Sequence, residues 1–239
     1  MNILLNGASG RVGRLIESLV DSDPSMTVVG RGRSDEPLQG CDGAEVVIDF
    51  SSPESALHAL SVADEHGLPF VSGTTGFDET QRAALDDAAD RIAICHEANF
   101  SIGVHVLESL VREAAQRLGD DFDVEILETH HRNKVDAPSG TALGLAATVA
   151  AARGLEVGAA VDPGDRGGRR GPGRIGIQAL RGGDVVGEHE VHFLGPGERL
   201  TLAHRASDRS LFARGALRAA RWILGRSPGR YGLADVLDD

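Results

Sequence analysis

Residues 1–21 read MNILLNGASGRVGRLIESLVD, and their order decides the fold. Met1–Asn6 is a short apolar run that stops at a glycine, as a buried strand does. Arg11–Asp21 then spaces Val12, Leu15, Ile16, Leu19 and Val20 at helical intervals. Between the two, Gly7-Ala8-Ser9-Gly10-Arg11-Val12-Gly13 has to carry the chain sharply from strand to helix. With 31 glycines in 239 residues, the glycine spacing alone has little weight. Its position has more. Missing β-carbons let a pyrophosphate approach the backbone, and a helix N-terminus offers N–H groups and partial positive charge.

The alternation continues outward. Thr27–Val29 reads as a second strand and the β-branched run Glu45–Phe50 as a third, buried one. Pro53–Glu65 reads as a helix with Ser51 or Ser52 as its cap and Pro53 in its first turn. Leu68–Val71 is a strand leading to Gly73, Asp78–Asp90 a helix and Arg91–Cys95 a strand. Strands that alternate with helices need crossover connections, so the first half is predicted to be a doubly wound parallel α/β sheet.

After about Asn99 the character changes. Val104–Leu118 is one amphipathic helix, Val124–Thr129 a strand and Ser139–Arg153 an Ala-rich helix. Gly158–Gly176, rich in Gly, Arg and Pro, reads as a long loop. Ile175–Leu180, Glu188–Phe193 and Arg199–His204 alternate as half-covered antiparallel strands do. Phe212–Leu224 is an Arg-rich helix with Phe212, Ala216, Ala219, Ala220 and Ile223 on one face. The second part is thus expected to be a mixed sheet with helices.

Composition bounds the function. A chain of 239 residues, 41% hydrophobic and 25% charged, has room for a buried core in one large domain or two small ones. No apolar run approaches the roughly 18 residues that span a bilayer. No charged, apolar and small-residue leader opens the chain, so the expectation is a cytoplasmic protein without membrane contact. Two cysteines, Cys41 and Cys95, cannot build a multi-bridge framework and point to a reducing compartment. A net charge of −12 argues against nucleic-acid partners. Of 24 Lys and Arg residues, only Lys134 is a lysine. Lysine is a compact charge that gives up its proton when desolvated, which guanidinium does not.

An acidic residue about 20 residues past the glycines would hold the ribose hydroxyls of NAD. That neighbourhood here reads Val29-Gly30-Arg31-Gly32-Arg33-Ser34, with no carboxylate before Asp35 and Glu36. Arg31 and Arg33 suit the extra phosphate of NADPH, because arginine pairs with phosphate through two parallel donors. Gly73-Thr74-Thr75-Gly76 and Glu97-Ala98-Asn99-Phe100 follow strands, where doubly wound sheets bind ligands.

The most informative stretch is His130-His131-Arg132-Asn133-Lys134-Val135-Asp136-Ala137-Pro138-Ser139-Gly140-Thr141. It puts His130, His131 and Lys134 within five residues, just before a helix N-terminus. Clustered positive charge beside such a terminus points to a small anion, most simply a carboxylate. A histidine there moves a proton near neutral pH. A metal is not expected. Adjacent strand histidines face opposite ways, and no nearby cysteine or carboxylate completes a shell.

This block, from Glu128 to Ala142, closely resembles the signature of dihydrodipicolinate reductases. The resemblance extends to Gly7–Gly13, Val47–Phe50, Gly73–Gly76, Asn99–Ser101, Gly187–His189, Ala206–Arg209 and Phe212–Trp222. It implies a Rossmann dinucleotide domain over residues 1–100 and 212–239. It also implies a substrate-binding and tetramerisation domain with an open mixed sheet over 101–211. The implied reaction is reduction of a cyclic imine dicarboxylate by NADH or NADPH, of which the arginines favour NADPH. His130 and Lys134 match the family's proton-handling residues, and His131, Gly140 and Thr141 its substrate contacts. Gly7, Ala8, Ser9, Gly10, Arg11, Val12, Gly73, Thr74, Thr75, Glu97, Ala98, Asn99 and Phe100 match its cofactor-contacting segments. Asn133 stands where members often carry a histidine, and Arg31 and Arg33 where an acidic residue is common. The rival readings are another Rossmann reductase of small amino or oxo acids and a dinucleotide sensor without turnover.

Overall fold

The computed structural model describes residues 1–33, 38, 42–163 and 169–238. Ser34, Asp35, Glu36 and Cys41 lie outside the described residues. The elements run β1 (Asn2–Asn6), α1 (Arg11–Asp21), β2 (Thr27–Gly32), β3 (Val46–Asp49), α2 (Pro53–Glu65), β4 (Phe70–Ser72), α3 (Glu79–Ala89), β5 (Ala93–His96) and α4 (Ile102–Leu118). They continue with β6 (Asp123–His130), α5 (Gly140–Ala152), α6 (Val157–Ala160), β7 (Val161–Pro163), β8 (Ile175–Arg181), β9 (Gly187–Gly195), β10 (Glu198–Ala206), α7 (Ser210–Ile223), β11 (Gly229–Tyr231) and α8 (Leu233–Leu237). The chain divides into two compact units, Met1–Ile102 with Arg209–Asp239, and Gly103–Asp208.

The first unit is built on a parallel sheet in the order β11-β5-β4-β3-β1-β2. Its inner strands β1, β3, β4 and β5 are largely buried because both faces are covered, whereas the edge strands β2 and β11 are partly exposed. Ile3, Leu5, Val46, Ile48, Val71 and Cys95 pack with Ile16 and Val20 of α1 and Ala216 and Ala220 of α7. The alternate residues Leu4, Val47, Phe70 and Ile94 pack with α2 and α3. The doubly wound sheet read from the sequence is present. Of the two cap candidates, Ser52 is the one that accepts from an α2 backbone N–H, that of Ser55. The three-residue strand β11 was not anticipated. The strand order reverses between β1 and β3, so the turns after these strands lie at the switch point where such sheets take ligands.

The second unit holds a mixed sheet in the order β10-β9-β6-β8-β7. β9 runs antiparallel to β6 and β10. β8, expected to be antiparallel, instead runs parallel to β6 and β7. Alternation marks a half-covered strand but carries no direction, which explains the misreading. The expected loop Gly158–Gly176 likewise contains most of α6 and all of β7. Val124 and Ile126 of β6 face a core of Leu107 and Val111 from α4, Leu145 and Val149 from α5, and Ile177, Val191 and Phe193 from the neighbouring strands. Among the described residues, no helix is long and apolar enough to cross a membrane.

Candidate active site

The period of two along β6 keeps Glu128 and His130 on the face that carries Val124 and Ile126. The row therefore turns from apolar to ionisable at the strand's end. Pairing with β9 sets Glu128 opposite His189, and pairing with β8 sets His130 opposite Arg181.

Glu128 is fully buried, which a carboxylate tolerates only when its oxygens are satisfied. Four donors reach it. His130 Nδ1 lies 2.6 Å and Arg181 Nη1 2.8 Å from Oε2, while Arg181 Nη2 lies 2.7 Å and the Ser139 N–H 3.0 Å from Oε1. Burial pushes the Glu128 carboxyl up, but Arg181, His130 and the Ser139 N–H outweigh it and hold the group below the usual carboxylate range. Burial lowers His130, against the raising influence of Glu128, and the charges of Lys134 and Arg181 lower it further. A β-carbon at Gly187 would sit 3.0 Å from His130 Nε2, so glycine there leaves that nitrogen room.

His189 stacks edge-on to His130, with ring centroids 5.2 Å apart. Its Nε2 lies 3.1 Å from Ser139 Oγ, and its buried Nδ1 has no hydrogen-bond partner among the described residues. Burial, aided by the nearby His130, presses its pKa down to about 4. Ser139 also caps α5, accepting from the Ala142 N–H.

Beyond His130 the chain turns toward α5. Gly182 N–H donates to His130 O and Arg132 N–H to Gly183 O, anchoring the turn to the end of β8. Lys134 Nζ rests on Asp136, 2.9 and 2.8 Å from its two carboxylate oxygens. The Arg181 guanidinium donates to the Asp136 carbonyl at 2.7 Å. His131 is half-buried on the turn, while Gly140 is exposed and Thr141 half-buried at the start of α5. His130, His131, Lys134, Gly140 and Thr141 thus fall on one strand end, one turn and one helix start of the second unit.

The glycine loop has the shape a pyrophosphate requires. Gly7 takes φ +80, and a β-carbon there would lie 2.2 Å from Phe50 O. A β-carbon at Gly13 would lie 2.2 Å from Gly7 O, so helix and turn pack without side chains between them. No side chain caps α1 at Gly10, which leaves its first-turn N–H groups to another acceptor. Ala8 is buried, Ser9 and Arg11 are exposed, and Val12 is half-buried against the core. These features fit a dinucleotide phosphate.

Around this loop, Asp49 ties three strand ends together. Its buried carboxylate accepts from Asn6 Nδ2 at 2.8 Å, Ser72 Oγ at 2.7 Å and Thr74 Oγ1 at 2.7 Å. That fixes the Gly73-Thr74-Thr75 turn, where a β-carbon at Gly73 would strike the Phe50 ring. Arg31 pairs with Glu17 of α1 at 2.5 Å, and Arg33 is exposed. Glu97 accepts from the Leu233 N–H at 2.7 Å, and Asn99 Oδ1 from the Ser101 N–H at 2.9 Å. Ala98 is exposed, whereas the Phe100 side chain is buried in the core against Phe50. Any ligand contact at Phe100 therefore runs through its backbone.

Sequence reasoning missed Arg181 and gave no role to Glu128, Ser139 or His189. Glu128 does stand beside His130, but its oxygens are taken up by the four donors above. Among the described residues, no group of three or more His, Cys, Asp or Glu side chains is arranged to hold a metal.

Comparison with known proteins adds to this geometry. The family model described as dihydrodipicolinate reductase, N-terminus, matches residues 1–100, and the one described as dihydrodipicolinate reductase, C-terminus, matches residues 103–237. A 4-hydroxy-tetrahydrodipicolinate reductase of Thiobacillus denitrificans is 42% identical over 99% of this chain and 98% of its own length. One of an Anaeromyxobacter species is 43% identical over 99% and 97%. The fold matches that of a dipicolinate-bound dihydrodipicolinate reductase from a Paenisporosarcina species, with a TM-score of 0.80, 22% identity and 99% of both chains covered.

Proposed function

The chain belongs to the dihydrodipicolinate reductase family, and from that premise we propose how its residues divide the reaction. It is an oxidoreductase of the diaminopimelate route to lysine. It reduces 4-hydroxy-tetrahydrodipicolinate, by way of dihydrodipicolinate, to tetrahydrodipicolinate. Loss of water gives the unsaturated imine, and a hydride and a proton then add to it. The pyridine nucleotide, oxidised in the process, supplies the hydride.

Residues 1–100 and 212–239 hold the dinucleotide, through Gly7–Val12 at its phosphates and the Gly73–Thr75 and Glu97–Phe100 turns. Arg31 and Arg33 favour NADPH, with NADH the weaker donor. Residues 101–211 bind the dicarboxylate. His131 and Lys134 supply positive charge, and Gly140 and Thr141 present the start of α5 to a carboxylate. His130 or Lys134 gives the proton that neutralises the charge built by hydride addition. Such groups typically contribute about 10²–10⁴-fold. Leu180 and Leu200, exposed on the second sheet, favour assembly, and the family resemblance makes it a homotetramer. The expected site of action is the cytoplasm.

The observation that carries the reading is His130 held by a buried carboxylate beside Lys134, at the entrance to a helix. The test is loss of reduced-nicotinamide absorbance when substrate is generated by the preceding synthase. Turnover by the wild type, with severe loss in His130→Gln, is the expected outcome. Dinucleotide binding without turnover would leave a sensor and sink the reading.

A further inference from the structure

We propose that Glu128 and Arg181 are positioning residues that fix His130 in its Nδ1–H form, leaving Nε2 as the nitrogen that exchanges a proton with substrate. This rests on the reading of His130 as a proton-transfer group and explains how the fold prepares it.

An ionised carboxylate accepts hydrogen bonds and never donates them. With Glu128 Oε2 2.6 Å from His130 Nδ1, that nitrogen carries hydrogen whether the ring is neutral or charged. The carboxylate has no freedom to turn away, because Arg181 grips both of its oxygens and the Ser139 N–H holds Oε1. Nε2 is left on the side where Gly187 lacks a side chain.

The charges facing the ring come from every neighbouring element. Glu128 lies on β6, Arg181 on β8, His189 on β9, and Lys134 with its partner Asp136 on the following turn. Glu128 favours the imidazolium, while burial, Lys134 and Arg181 oppose it. Glu128 therefore keeps a buried histidine able to take up a proton. Arg181 in turn keeps Glu128 ionised. Without that guanidinium the buried carboxyl would hold a proton and present a donor to Nδ1, reversing the tautomer. Arg181 also bonds the Asp136 carbonyl, and Glu128 the Ser139 N–H, so the same pair sets the Lys134 turn and the start of α5. Neither residue has to touch the substrate for this role.

The experiment combines nitrogen NMR of the His130 ring with pH profiles of kcat. In the wild type, Nδ1 should remain protonated throughout the titration. Glu128→Gln can turn its NH₂ toward Nδ1, so His130 should switch to the Nε2–H form. Its kcat should fall about 100-fold while KM for the dicarboxylate stays within about threefold. The limb of the profile that reports the acid should move to lower pH, since the group that favours the cation is gone. Glu128→Asp, still an acceptor only, should recover part of the rate. A wild-type ring found as Nε2–H overturns the proposal, as does Glu128→Gln with unchanged tautomer and profile. The wild-type measurement and Glu128→Asp keep the test open if Glu128→Gln does not fold. Near-full turnover in His130→Gln would defeat the reading beneath the proposal. An inactive His130→Gln beside an unaltered Glu128→Gln would defeat the positioning role alone.

Discussion

Arg181 meets Glu128 through two parallel contacts of 2.7 and 2.8 Å, with the carboxylate fully buried and the guanidinium side chain 19% exposed. The worth of such a pair lies less in the contact than in the cost of leaving one charge behind. Arg181→Leu removes the main counter-charge of the buried Glu128 carboxyl, which must then take up a proton to stay buried, and is expected to cost about 3 kcal/mol, or roughly 6–12 °C in Tm. The sign with pH follows from Glu128 being held below its usual range. Its stabilising share is present above the ordinary carboxylate pKa and is lost as pH falls through the folded value. The gap between wild type and variant should therefore narrow under strong acid. Thermal melts from neutral to acidic pH read it, and equal melting at neutral pH would contradict the argument.

His189 sets a second pH dependence of different origin. Its folded pKa is about 4, against roughly 6.5 for an unfolded histidine. Above both values the ring is neutral in either state and contributes nothing. Between them only the unfolded chain gains the proton, so stability declines as pH falls through that window. The loss by its lower edge is on the order of 3 kcal/mol. His189→Gln should flatten this decline, which denaturant melts at several pH values measure. A variant with the same slope as the wild type would show that His189 titrates normally.

These groups mark where the sequence was legible and where it was not. The strand read as Val124–Thr129 stops one residue short of His130, so the period of two that puts Glu128 on the His130 face was within reach but not followed to its end. Arg181 arrives from β8, a strand whose direction depends on pairing far along the chain, and nothing local announced it. The glycine loop was readable because a strand and a helix flank it directly. β11 was not, since Gly229-Arg230-Tyr231 is too short to show a period. Phe100 was placed correctly at a strand-end turn, but only packing with Phe50 reveals that its side chain belongs to the core.

Gly7 and Gly140 should respond to alanine in opposite ways. Gly7→Ala puts a β-carbon 2.2 Å from Phe50 O at φ +80, so the backbone must shift and Tm should fall by several degrees, on the order of 2–4 kcal/mol. At Gly140 nothing among the described residues lies within 4 Å of an added β-carbon, and alanine is the better helix former. Gly140→Ala should hold or raise stability by up to about 1 kcal/mol while raising KM for the dicarboxylate. Paired melts and steady-state kinetics separate the two effects. Unchanged KM would remove Gly140 from the substrate site.

Arg31 and Arg33 decide the nucleotide if the proposed preference holds. Arg31 already pairs with Glu17, so it would share its guanidinium between that carboxylate and a phosphate. Charge-assisted bonds contribute about 1.5–3 kcal/mol each, so Arg31→Ala and Arg33→Ala should each raise KM for NADPH roughly 10–100-fold. KM for NADH should stay nearly constant. Initial rates with each nucleotide test this, and a wild type that favours NADH would end the arginine argument.

Lys134 is the chain's one lysine, and its ammonium rests on Asp136 rather than on a buried partner. Its side chain is 21% exposed, and the partner carboxylate is 62% exposed. Arginine there would keep the charge and could keep the Asp136 contact, so folding and Tm should change little. It would not keep the proposed proton donation, because guanidinium holds its proton too tightly. Lys134→Arg should therefore lower kcat by about 10²-fold or more with an intact fold. Lys134→Ala should add a rise in KM, since the charge proposed to hold the dicarboxylate is lost as well. If Lys134→Arg turned over at nearly the wild-type rate, the lysine would serve substrate binding alone and the proton would have to come from His130.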